Sequence, residues 1–248
     1  MYMLVFVRLA GMIVFNPVLS RKSVPSMVKT GIIFGATVIL TPSVPIPAEY
    51  DPDDFGLVLC IIREIAVGYL LGYVFNIFYY FLSFAGDILD MQFGLSMAKV
   101  LDPGSGIQAA FTGKLIDMLF VAYFFATNTH LVLIKTAVYS YNLIPAGAAG
   151  INIDAAIGFG IEIFTAAFSI VIRLLFPFVA MEFVLEIGMG ILMKLIPQIH
   201  IFVINMQFKI LLAVIMLFVM AGPITAFTEN YILAITDNMQ EALRVISS

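Results

Sequence analysis

Several ionisable residues interrupt stretches that are otherwise apolar: Arg8, Arg63, Glu64, Asp117, Glu162, Arg173, Glu182, Glu186 and Lys209. A charge at bilayer depth costs about 2.5–3.5 kcal/mol on insertion scales, so such groups pair across helices or line a path for ions or protons. Glu182 and Glu186 are four residues apart and share a helical face. Two like charges there repel unless a cation stands opposite or one carboxyl keeps its proton. Asp87 and Asp90, three apart, also share a face, whereas the neighbours Arg63 and Glu64 point in different directions and each seeks another helix. The functional reading is a proton relay or gate. The plain alternative is interhelical or intersubunit ion pairing by Arg63, Glu64, Asp87, Asp90, Arg173, Glu182 and Glu186, which alone explains why such residues are tolerated.

A second chemical signal is the polar, glycine-bearing block from Gly86 to Gln108. Unpaired backbone groups facing hydrocarbon cost several kcal/mol each, so irregular chain there must be shielded by protein or line a wet cavity. Within the block, Leu101-Asp102-Pro103-Gly104-Ser105-Gly106 breaks any helix. It carries no Gly-x-x-x-x-Gly-Lys-Ser/Thr pattern and so is no phosphate cradle. A gate or plug loop fits: candidate residues are Leu101, Asp102, Pro103, Gly104, Ser105, Gly106, Ile107 and Gln108, with Phe111 and the adaptable Met91 and Met97 beside them. An ordinary surface hairpin is the alternative.

Other chemistries find less support. Ser96 with His130 could form a dyad, but Gly94-Leu95-Ser96-Met97 lacks the second glycine of serine intramembrane proteases, and Gly86-Asp87 lacks the Gly-x-Gly-Asp of the aspartyl type. The chain reads as no enzyme. His130 and His200 are far apart and Cys60 is the single cysteine, so neither a His/Cys metal site nor an intrachain disulfide is expected, and no cofactor is implied. The net charge of −4 and the absence of any Lys/Arg run beyond Arg21-Lys22, with Lys29 nearby, speak against nucleic acid.

The elements that position these groups follow from composition. Apolar residues make up 62% of the 248 and charged residues 11%, with mean hydropathy +1.08, against about 25% charge in soluble domains. The natural solvent is lipid, other subunits, or both. The first residues lack a basic leader and a clear cleavage site, and Arg8 lies inside their apolar run, so no cleavable signal peptide is expected. Apolar segments cover Met1–Phe15, Met27–Leu40, Phe55–Phe84, Leu115–Ile144, Ile157–Phe183, Ile199–Met220 and Ile224–Ile235. The first two are short of the roughly 20 residues a spanning helix needs. The longer ones are interrupted, the fourth at Asn128-Thr129-His130 and the fifth at Arg173 and Pro177. The expectation is an all-α membrane-associated fold of broken helical hairpins in a single domain. Breaks are expected at Asn16-Pro17, Thr41–Asp54, Gly86–Gly113, Pro145–Asp154, Pro197 and Gly222-Pro223. Gly31…Gly35 and Gly68…Gly72 are small-xxx-small pairs that would permit close helix approach.

Ordered blocks along nearly the whole chain resemble the FliR family of the flagellar type III export apparatus, whose injectisome counterparts are the SctT proteins. They are Val7-Arg8-Leu9-Ala10-Gly11 with Asn16-Pro17-Val18-Leu19-Ser20 and Val24-Pro25; Arg63-Glu64 with Gly68-Tyr69-Leu70-Leu71-Gly72; Gly86 through Gln108; Asn128–His130 with Ser140 and Ile144-Pro145; and Pro177, Gly188–Gly190 and Leu195-Ile196-Pro197-Gln198-Ile199. The third block fits the flagellar branch. His200, and Asn205-Met206-Gln207 in place of a more usual Gly-Phe-Pro, depart from the family pattern.

The resemblance implies one FliR-like domain over 1–248, FliP-like over about 1–180 and a FliQ-like hairpin over 181–248, with Ile196, Pro197 and Gln198 at the hairpin turn. It implies a subunit of the export channel formed with FliP-like and FliQ-like subunits beside FlhA-like and FlhB-like proteins. That channel would lie in the inner membrane at the flagellar basal body and pass unfolded flagellar substrates. The alternatives are an injectisome export-gate subunit and a proton-coupled secondary transporter using Asp87, Asp90 or Glu182, though no internal repeat of the kind such transporters carry is evident.

Overall fold

A backbone running through apolar surroundings must satisfy its own N–H and C=O groups, and in a chain without the alternation of a β-barrel only the helix does so. The computed structural model describes residues 1–45, 54–96, 111–147, 153–196 and 201–247. Among these the chain is helical, without strands: α1 Tyr2–Val14, α2 Ser26–Leu40, α3 Asp54–Gln92, α4 Phe111–Ala126, α5 Thr129–Leu143, α6 Ile153–Leu195, α7 Ile201–Val219 and α8 Ala221–Ser247, with a 3-10 turn at Thr41–Ser43 after α2. The all-α fold expected from composition is what is found.

Local chemistry sets the helix ends. After α1, the Asn16 side-chain oxygen accepts from the Val18 and Leu19 amides at 2.9 and 3.1 Å and turns the chain at Asn16-Pro17. Thr37 and Thr41 donate their hydroxyls back to the carbonyls of Ile33 and Thr37, which hides two polar groups in an apolar helix. Gly94, with φ +72, ends α3 in a left-handed turn, and the Phe93 amide closes onto the Leu89 carbonyl at 2.9 Å.

Two helix pairs are bent at short breaks, α4 with α5 by 66° and α7 with α8 by 63°. The first break falls where Asn128-Thr129-His130 predicts it. Asn128 takes φ 57, a conformation that a short polar side chain accepts more readily than most. At the second, Pro223 sits in the opening turn of α8, where a missing N–H loses nothing.

Two expectations are corrected. The third segment does not stop at Phe84, because α3 continues to Gln92 and the start of the polar block is helical. The fifth is not divided, because α6 runs through Arg173 and Pro177. A proline removes one backbone bond and tends to bend a helix, and in apolar surroundings neighbouring turns carry it. Arg173 is exposed on the helix surface and disturbs no backbone bond.

The chain divides into two compact units, each built from separated stretches. The first comprises Met1–Tyr79, Phe124–Ala166 and Ile232–Ser248, the second Tyr80–Tyr123 and Ala167–Tyr231. In the first, α1 lies against α3 at glycine contacts. A Cβ on Gly68 would overlap the Arg8 carbonyl oxygen, and one on Gly72 would fall 2.7 Å from the Phe15 Cβ. By contrast, nothing among the described residues lies within 4 Å of a Cβ added at Gly31 or Gly35. In the second, Phe81 meets Phe168 edge-on at 5.9 Å and Phe93 meets Phe178 at 6.0 Å.

Long apolar faces remain uncovered. Met27 is 85% exposed, Phe176 70% and Phe218 85%. Three described stretches are long and apolar enough to cross a membrane, Ser26–Ser43, Phe55–Gln92 and Ala155–Leu195, rising to five if each bent pair counts as one span.

Candidate functional site

The most elaborate polar site lies in the first unit, around Arg8. The helical turn of α1 places this residue over α3, and the glycine contact at Gly68 brings the two backbones close enough for the side chains to meet. Arg8 Nε donates to Glu64 Oε2 at 2.5 Å and Nη2 to Glu64 Oε1 at 3.0 Å, a two-pronged pair with both side chains buried. Nη1 donates to Ser140 Oγ at 3.1 Å and to the Ile144 carbonyl at 3.0 Å, and Nη2 also donates to that carbonyl at 3.0 Å. Guanidinium carries five N–H donors, and each has an acceptor here.

The Tyr141 ring covers the guanidinium carbon at 4.1 Å, while its hydroxyl donates to the Val5 carbonyl at 3.3 Å. Glu64 Oε1 also accepts from the Gly147 amide at 2.9 Å. Gly147 has φ +81, where a Cβ would be strained, so a glycine there turns its amide inward without penalty. The knot ties α1, α3, α5 and the turn after α5. With every donor of the guanidinium occupied, it is a tie between elements.

In the second unit, Asp90 near the end of α3 is buried, and its carboxylate accepts from the backbone amides of Phe111 and Thr112 at 2.5 and 2.9 Å. Among the described residues, then, Asp90 meets the backbone of another helix and not a cation. The unpaired amides at the start of α4, with the positive end of that helix's dipole, supply what a cation would. One turn earlier, a Cβ on Gly86 would overlap the backbone of Gly113.

Also in the second unit, Lys209 of α7 reaches two carboxylates of α6. Its Nζ lies 2.6 Å from Glu186 Oε1 and 3.8 Å from Glu182 Oε2. Glu182 is buried, Glu186 half-exposed. The like-charge pair on one helical face thus has a cation opposite it. Among the described residues neither oxygen of Glu182 has a hydrogen-bond partner.

The remaining expected residues are dispersed. Arg63, Asp87 and Arg173 are exposed, and among the described residues they enter no ion pair. Met91 and Phe111 are exposed, and Ile196 follows the end of α6. Met97, Leu101, Asp102, Pro103, Gly104, Ser105, Gly106, Ile107, Gln108, Pro197 and Gln198 lie outside the described residues. His130 rests against the rings of Phe124 and Phe125, at 6.4 and 5.5 Å between centroids. No group of three His, Cys, Asp or Glu suited to a metal occurs among the described residues.

Arg8 and Lys209 are the partners of Glu64 and of Glu182 and Glu186, which the spacing of the charges alone does not predict. Their signal was present, since both are basic residues inside apolar runs. The Ile144 carbonyl and the Gly147 amide carry no compositional signal.

These features define a helical membrane-type protein whose buried charges fasten helices together. The chain belongs to the family described as bacterial export proteins, family 1, which its residues 1–235 match. It is 28% identical over 247 residues to the flagellar biosynthetic protein FliR of Bacillus subtilis, covering 99% of this chain and 95% of the relative. It is 28% identical over 234 residues to the FliR of Escherichia coli, with 93% and 87% covered. It is 26% identical over 247 residues to the Yop proteins translocation protein T of Yersinia pestis, with 99% and 95% covered.

Proposed function

We propose that this chain is a non-enzymatic subunit of a type III protein export gate in the bacterial inner membrane, and that its cargo is the unfolded proteins of the flagellum. The observation that carries this reading is the extent of the similarity. Relatives named for flagellar biosynthesis align with nearly the whole chain, not with one motif of it. The uncovered apolar faces support the reading, because a subunit of a larger assembly leaves such surface for its neighbours.

In this reading the chain joins FliP-like and FliQ-like subunits, with FlhA-like and FlhB-like proteins nearby, at the flagellar basal body. Residues up to about 180 act as the FliP-like part and 181–248 as the FliQ-like hairpin turning at Ile196, Pro197 and Gln198. Residues 100–113, flanked by Met91 and Met97, approach the pore and help close it. Arg63, Asp87 and Arg173 find their counter-charges on those neighbours. The driving force comes from the proton motive force and an ATPase elsewhere in the apparatus.

The test is purification of the chain from solubilised membranes and mass measurement of the intact complex. Several FliP-like and FliQ-like copies around one copy of this chain support the proposal. A stable monomer free of them overturns it and favours a transporter. An injectisome role has its own support in the Yersinia relative. Loss of motility on deleting the gene, against loss of effector secretion alone, separates the two.

A further inference from the structure

We propose that Asp90 is a positioning residue for export, which locks the start of α4 to the end of α3 so that, with Gly86, the two helix ends form one rigid joint. The proposal rests on the export-gate reading above. Gly86 and Asp90 are four residues apart and face the same way from α3. Opposite them stand three consecutive residues of α4. The Asp90 carboxylate takes the amides of Phe111 and Thr112, and Gly86 meets the backbone of Gly113.

The first amides of a helix have no partner within it, and an anion placed there is favoured by the helix dipole as well as by the hydrogen bonds. Asp90 and Thr112 are both buried, 1% and 0% exposed, so water does not compete for the Thr112 amide, while the bond from the Phe111 amide is partly buried. The backbone contact at Gly86 leaves no room for a side chain between the helices. One turn is thus fixed by charge and the next by shape. Both Asp90 oxygens are engaged by N–H groups, so the residue sets geometry and does not ferry protons. A cap needs an oxygen acceptor at this position, whereas a proton carrier needs a titrating acid, and the two requirements respond differently to substitution.

The experiment compares Asp90→Asn, Asp90→Ser and Asp90→Ala in the intact membrane complex. Complex assembly, substrate secretion, ion leak through vesicles holding the complex, and hydrogen exchange at the amides of Phe111 and Thr112 are measured. Asn keeps one of the two accepting oxygens, Ser a single oxygen on a shorter side chain, and Ala none. The expected result is that Ala raises exchange at these two amides about fivefold, the equivalent of a lost helix cap, and lowers secretion or raises leak. Asn restores part of each, through the one amide its oxygen still accepts, and Ser less.

Unchanged exchange in the Ala variant overturns the proposal. So does an Asn variant as defective in secretion as Ala with its amides still protected, which is the behaviour of a proton carrier. If Ala prevents assembly, an Asn variant that assembles and secretes supports the proposal, and one that also fails to assemble overturns it. The exchange measurement does not depend on secretion, so failure of the joint is told apart from failure of the export reading.

Discussion

Arg8 shows how much one side chain can be committed. Its guanidinium is buried with an acceptor for each N–H. Removing one member of a buried, hydrogen-bonded pair leaves the other charged and unpaired, so Arg8→Ala or Glu64→Ala should each lose about 3–5 kcal/mol. Replacing both, as Arg8→Met with Glu64→Leu, should recover much of that loss. Thermal unfolding of the purified chain in detergent checks both expectations. Substituting Gly68 by Ala pushes α1 from α3, at about 1–3 kcal/mol for an overfilled contact. The same change at Gly31 or Gly35, inside α2, meets no described atom and should raise the unfolding temperature slightly, since Ala is favoured over Gly within a helix by about 0.5–1 kcal/mol. At this scale the sequence marks which charges are out of place but not what they touch. Glu64 reaches a partner 56 positions away and Asp90 reaches backbone 21 and 22 positions away. Such distances leave no periodic trace, and backbone groups are alike in every residue.

Among the elements, breaks were legible where local chemistry alone forces them. Asn16-Pro17 marks a turn and Asn128 a bend, because proline lacks a donor and asparagine accepts a left-handed backbone, whereas the second bend falls at Met220, just ahead of Gly222-Pro223, which lie inside α8. Pro177 misled, since one missing bond in a long apolar helix does not end it. Asn128 gives a direct test. Replacement by Val should cost about 1–2 kcal/mol, because a branched side chain resists φ 57, while Gly should be accepted. Unfolding temperatures of the two variants should differ in that order. Helices α6 and α7 meet through Lys209, and Lys209→Met removes the cation between Glu182 and Glu186. That variant should accumulate to lower levels in membranes, and adding Glu182→Gln should restore much of the loss by removing the buried negative charge.

For the molecule as a whole, composition was enough to read the class: an all-helical chain with more apolar surface than water can wet. The division into two units was not legible, because each draws on stretches far apart in sequence and no linker separates them. A protein with Met27, Phe176 and Phe218 so exposed should aggregate when detergent is diluted away, and addition of its partner subunits during solubilisation should prevent this. Light scattering with and without them measures the effect.

The knot at Arg8 also sets an order of events during synthesis. Its arginine emerges from the ribosome early, its carboxylate only with residue 64, and its remaining acceptors with Ser140 and Ile144. Until about residue 147 has appeared, the first helix carries a charge with no complete place to rest, and it cannot settle stably in an apolar setting. Nascent chains released before that point should leave Arg8 and α1 more open to solvent labelling than chains released beyond it. Gly147 thus marks the length at which the charge in the first helix can first be fully accommodated.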